Sequence, residues 1–162
     1  MTDADRKLLA EQIAYLEGVP ISRYNRKEQL AYWANLHNAV TVRTILDNYP
    51  VDSIRDINDG FLSPGPWNRT LTTVEGVELS LNDIENRILR RIWRDPRVYY
   101  AVNCASVGCP NLRKTASTAS TARRCWVSSG RRVKAGALIK KPHYLCKRLH
   151  SFLRTCKRTG VN

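Results

Sequence analysis

Apolar positions in the first hundred residues recur at helical spacing in three stretches and alternate in one. Leu9, Ile13 and Leu16 mark one face of a first helix over Thr2–Leu16, opened by Thr2 with Asp5 three residues on and stopped at Gly18. A second helix runs from Arg26 to about Asn48. Asn25 can cap it, Glu28 can answer the cap, and Pro50 lies just beyond its end. Leu30, Trp33, Ala34, Leu36, Val40 and Ile45 give this helix a wide apolar face. Val51–Ile57 reads as a short connector with a helical turn opened by Ser53, and 59–69 as a turn and loop anchored by Trp67. Thr70–Leu79 alternates around Glu75-Gly76 and reads as a β-hairpin. Ser80 with Asp83 then opens a third helix. Ile84, Ile88, Leu89 and Ile92 form its core stripe, and Arg87, Arg90, Arg91 and Arg94 its solvated face. It ends at Asp95-Pro96. Val98–Val102 is β-rich and apolar on both faces, the pattern of a covered central strand. The fold class expected from these elements is mixed α/β: N-terminal helices, a hairpin and a central strand that ends in a Cys-bearing loop.

Polar residues interrupt the second helix in an unusual way. In AYWANLHNAV, Asn35 and Asn38 are three apart and Trp33 and His37 four apart, so each pair shares a face. Buried amides must find partners. Either they brace the backbone of a neighbouring loop, or His37 or an Asn lines a cleft.

Asn103 and Cys104 fall at the end of the expected strand, where open α/β sheets place ligands and reactive groups. Gly108, Cys109 and Pro110 tighten the loop after it. Four readings fit Cys104 and Cys109. They could be packed reduced thiols, or a disulfide if the loop brings them together. A metal site lacks a second paired-ligand motif, so no metal and no cofactor are expected. Last, Cys104 could be a nucleophile, with His37 as candidate base and Asn103 beside it; without a His or a cationic neighbour its thiolate would be poorly activated.

Composition adds one asymmetry. The net charge is +13, yet residues 1–96 hold all 14 acidic side chains and only 12 of the 27 basic ones. The five cysteines are odd in number and irregularly spaced, unlike a secreted disulfide framework. No run of eighteen apolar residues is present, and the charged start MTDADRKLLAEQ lacks the apolar centre of a signal peptide, so a cytoplasmic location is expected by default.

The motifs LAYWANLHNAVTVRTILDNYPVDSI, VEGVELSLNDIENRIL and DPRVYYAVNCASVGCPNL, in this order, resemble the bacterial and plant domain-of-unknown-function family 547 over roughly residues 25–112. The resemblance implies a mixed α/β domain of unestablished activity, often found on secreted or membrane-linked proteins. It also implies a polar set at Trp33, Asn35, Asn38, Asn103, Cys104 and Cys109. Two positions depart from the family: Tyr99 stands where a His is usual, and His37 where a Tyr is more common.

The chain thus divides into a family-like domain, 1–113, and a basic tail, 114–162. The abrupt loss of acidic residues and of family pattern predicts a tail translated out of frame. Against that, Leu145, Leu149, Phe152, Leu153 and Cys156 recur at helical spacing among Lys and Arg. That pattern would suit an anionic membrane surface or a partner groove, and the Arg and Lys of 123–158 would suit nucleic acid on charge alone. Two functions are compatible with these features: a divergent or inactive thiol-dependent enzyme centred on Cys104, or a non-catalytic module that binds anionic partners through the tail.

Overall fold

The computed structural model describes residues 3–57, 65–96, 98–105, 112 and 116–119. Residues 121–162, which carry the expected amphipathic basic stripe, and Cys109 lie outside the described residues.

Two helices, a hairpin and a wound helical segment surround one core. Helix α1, Asp3–Glu17, buries Leu9, Ile13 and Leu16, the face its spacing predicts. Helix α2 spans Arg26–Asp47. Asn25 accepts hydrogen bonds from the backbone N–H groups of Lys27 and Glu28, and the Glu28 carboxylate accepts from Asn25 N–H, which completes the expected capping box. Every α2 residue from 30 to 42 is buried, as is Thr44. The helix is therefore covered on all sides rather than amphipathic, which explains why its polar residues have to be satisfied inside the protein. Tyr32 does this by donating its hydroxyl to Leu16 O at 2.8 Å, tying α2 to the end of α1.

Strands β1, Thr70–Val74, and β2, Val77–Ser80, form the expected antiparallel hairpin. Glu75 and Gly76 both adopt positive φ, 48° and 79°, as a two-residue turn that matches strand twist requires. A bulge at Leu71 lies between the paired residues Thr70 and Thr72. The buried Thr72 hydroxyl donates to Glu17 Oε1 at 2.6 Å, and Ser22 donates to Glu75, so the hairpin is pinned to α1 and to the turn after it.

Ser80 and Asp83 cap the next helix as expected, with Asp83 N–H donating to Ser80 Oγ and Ser80 N–H to Asp83 Oδ2. The segment beyond this cap is not an ordinary α-helix. Asp83–Arg90 is wound as a π-helix, here π1, and only Arg91–Trp93, α3, returns to α-helical winding. In π winding, residues five apart share a face. Ile84 and Leu89, five apart, are both fully buried, while Ile92 is 41% exposed. The expected stripe therefore holds at Ile84 and Leu89 and fails at Ile92, because that stripe assumes 3.6 residues per turn.

The expected central strand is absent. Val98–Ala101 forms a helical turn, α4, and among the described residues the sheet has only the two hairpin strands. Val98 and Val102, four apart, are buried, whereas Tyr99 and Tyr100 are 54% and 40% exposed. Val98 N–H donates to Asp95 O at 3.0 Å and Tyr99 N–H to Pro96 O at 3.2 Å. Pro96 fixes the backbone for a helical start and lacks only an N–H that a first turn leaves unused, so it opens this turn and overrides the β propensity of the valines and tyrosines. The fold remains mixed α/β, dominated by helix.

Candidate functional site

The α2 amides meet the chain's own backbone. Asn38 Nδ2 donates to Ala101 O at 2.9 Å, and Asn38 Oδ1 accepts from Asn103 N–H at 2.8 Å. One side chain thus holds both sides of the step from α4 into the Cys-bearing segment. Asn35, one turn earlier, does the same for Ser117: its Nδ2 donates to Ser117 O and its Oδ1 accepts from Ser117 N–H, each at 2.8 Å. Ala116 and Ser117 are buried there, past residue 113 where the sequence predicts the domain to end. Asn103 turns its own Oδ1 onto Ala105 N–H at 2.7 Å, closing a tight turn around Cys104, and Ala105 sits at φ 57°. Trp33 stacks edge-on against Tyr32, with ring centroids 5.0 Å apart. Of the readings open for the two asparagines, the bracing of neighbouring backbone is the one these contacts realise.

Cys104 is disulfide-bonded. Its sulfur is therefore neither a thiol nor a thiolate in this structure.

His37 is fully buried, and neither ring nitrogen has a hydrogen-bond partner, so no bond joins it to the Cys104 sulfur. The Glu85 carboxylate faces it, with Nε2 and Oε2 3.9 Å apart. Burial lowers the His37 pKa to about 4, against the opposing pull of Glu85 and of the adjacent Asn38 amide. The ring is neutral at pH 7. The Asn38 amide favours the protonated ring without reaching hydrogen-bond geometry, since both of its ends are engaged by backbone.

Glu85 belongs to a second group of side chains. Its Oε1 accepts from Arg90 Nη2, and Arg90 Nη1 reaches the hydroxyl of Tyr99. The guanidinium lies over the Tyr99 ring, 3.8 Å from its centroid. A chain of polar contacts therefore runs from the buried His37 through Glu85 and Arg90 to the exposed Tyr99. Glu85 and Arg90 are five apart, so π winding stacks them and α winding would not. Arg90 does not lie on a solvated face as its spacing predicts; it is engaged at both guanidinium nitrogens named above. Glu85 and Arg90 share no face at three- or four-residue spacing, so helical periodicity does not pair them.

Among the described residues, no group of three or more His, Cys, Asp or Glu side chains could hold a metal ion, and no helix is long and apolar enough to cross a membrane.

A family model described as "Protein of unknown function, DUF547" matches residues 21–125. The match takes in α2, the hairpin, π1, α4 and Cys104, and extends beyond the motif-bearing stretch 25–112 on both sides. No curated protein and no solved structure matches the chain. Because the family model covers well over half of the sequence, from before α2 to past the segment that Asn35 holds, the chain belongs to the DUF547 family of proteins of unknown function.

Proposed function

We propose that this chain is a divergent, inactive member of its family, with a site shaped for thiol chemistry around Cys104 in which the sulfur is held oxidised. The observation that carries the reading is the disulfide at Cys104. Nucleophilic attack by cysteine needs the thiolate, and a sulfur bonded to sulfur has no lone pair charged for attack and no proton to give to a base. Two further features support the same reading. His37, the candidate base, makes no hydrogen bond to Cys104, and at a pKa of about 4 it is a weak proton acceptor at neutral pH. Tyr99, where the family usually carries a His, is occupied by Arg90. Asn38 and Asn103 then serve to shape the segment that carries Cys104 rather than to bind a substrate.

The reading is tested on the reduced protein. After mild reduction, the alkylation rate of Cys104 by iodoacetamide is followed from pH 5 to pH 10 by peptide mapping. An inactive site gives a rate that rises with an ordinary thiol pKa, near 8.5. A plateau reached already near pH 6, lost on His37→Leu, would mean an activated thiolate and an enzyme silenced only by oxidation.

A further inference from the structure

We infer that the helical segment 81–93 is a two-register element: the Glu85–Arg90–Tyr99 clasp holds it in π winding, and release of the clasp lets it relax to α winding, which turns Ile92 from solvent into the core. The sequence of this segment carries two overlapping apolar stripes. Ile84, Ile88 and Ile92, each four apart, make the stripe of an α-helix. Ile84 and Leu89, five apart, make the stripe of a π-helix, and this is the one now fully buried. Each register leaves a large residue of the other stripe displaced; here it is Ile92, 41% exposed.

The π register also leaves polar groups poorly served. Arg90 Nε is buried without a hydrogen-bond partner, as are both nitrogens of His37 across from Glu85. Extended π winding is rare, and it persists where side chains outside the helical ladder hold it. The clasp supplies that hold. Glu85 and Arg90 meet only at five-residue spacing, and Tyr99 on α4 fixes the guanidinium from the neighbouring element. Downstream, α-helical bonding has already resumed, with Arg94 N–H donating to Arg90 O at 3.1 Å, and the helix ends at Arg94 with φ 49°. The far end is docked on α2: Trp93 Nε1 donates to Arg26 O at 3.1 Å, and the Arg26 guanidinium lies 5.5 Å from the Trp93 ring centroid. Removing the wide turn rotates everything beyond it by about one residue, so Ile92 moves inward and Trp93 leaves Arg26. The two packings are discrete, as a bistable element requires. The accessible handle is at the surface: the Arg90 side chain is 33% exposed and Tyr99 54%.

The test places a reporter at the residue whose exposure distinguishes the registers. In the full chain, Ile92→Cys is alkylated under native conditions and its rate is read by peptide mapping, alone and combined with Arg90→Met, which keeps side-chain length and removes the clasp. Labelling slower by about fivefold or more in the combined variant is the expected result, since the population shifts to the register that covers the residue. An unchanged or faster rate overturns the inference. If Arg90→Met unfolds the chain, Tyr99→Ala carries the same test, because it removes both the ring and the hydroxyl that hold the guanidinium, and slower labelling is again required. Deletion of Asn86, an exposed residue within π1, supplies the converse. It brings Ile84 and Leu89, and Glu85 and Arg90, to four-residue spacing, so α winding satisfies both pairs at once. In that background Ile92→Cys labels fast and Arg90→Met no longer slows it; slowing that persists, or loss of the fold on deletion, contradicts a two-register helix.

Discussion

The two helical segments that meet at His37 solve the same problem in opposite ways. Helix α2 is buried all round and carries polar residues into the core, yet its two asparagines use both ends of their amides on backbone groups of distant segments. The π1 segment is half exposed and carries charged residues, yet it faces α2 with a carboxylate that pairs to its own Arg90 and leaves His37 without a hydrogen bond. Saturated contacts of the first kind fix one geometry, because any slip costs two hydrogen bonds at once. Partly exposed ionic contacts of the second kind are worth less and tolerate rearrangement. The rigid half of the molecule is therefore the one that presents Cys104, and the adaptable half is the one that carries Glu85 and Arg90.

Substitutions on either side sharpen this contrast. The largest loss is expected at Asn38→Leu, which leaves the half-buried Ala101 O and the buried Asn103 N–H without the side chain that pairs them. Urea unfolding should show about 3 kcal/mol of destabilisation, at the scale of two unsatisfied backbone groups. A loss below about 1 kcal/mol would mean that the α4 segment finds other partners.

Of similar size is a pH effect confined to His37. The unfolded chain takes up a proton near 6.5, and the folded chain resists until about 4. Stability from this group is therefore complete above pH 6.5, falls as the pH drops, and levels off below about 4. The change across that window is about 3 kcal/mol, as an order of magnitude. His37→Leu should flatten the window while leaving stability at pH 8 equal to or above that of the parent, since no hydrogen bond is lost. A parent-like acid limb in the variant would place the titration elsewhere.

Smaller again is Glu85→Gln, which keeps the shape and removes the charge that faces both His37 and Arg90. We expect about 1 kcal/mol of destabilisation, a figure held down by the partial exposure of the pair. It should also shift the acid midpoint of His37 downward, because a charge that favours the imidazolium is gone; an upward shift would contradict the assigned neighbour. Tyr99→Phe removes only the hydroxyl and keeps the ring under the guanidinium, so its cost should fall at or below about 0.5 kcal/mol in the same assay.

How much of this could be seen in the sequence depended on how local the cause was. The α2 capping box, the Glu75-Gly76 turn and the Ser80–Asp83 cap are each decided by residues within four positions, and each forms as its residues predict. Val98–Val102 misleads because its composition favours strand while the preceding Pro96 favours a helical start, and the local backbone constraint prevails. The π winding hides Glu85 and Arg90, since a residue pair five apart falls on no face that 3.6-residue periodicity recognises. The asparagines stand out in the sequence as an anomaly, but their partners lie 63 to 82 residues away, beyond any local pattern.

The redox state of Cys104 tests the functional reading most directly. Protein purified without reductant is quenched with iodoacetamide under native conditions, and the peptide carrying Cys104 is mapped by mass spectrometry. If the site is held oxidised, Cys104 stays unmodified until a reductant is added. Rapid carbamidomethylation of Cys104 in the unreduced native protein would contradict that reading and return the site to a free, reactive thiol.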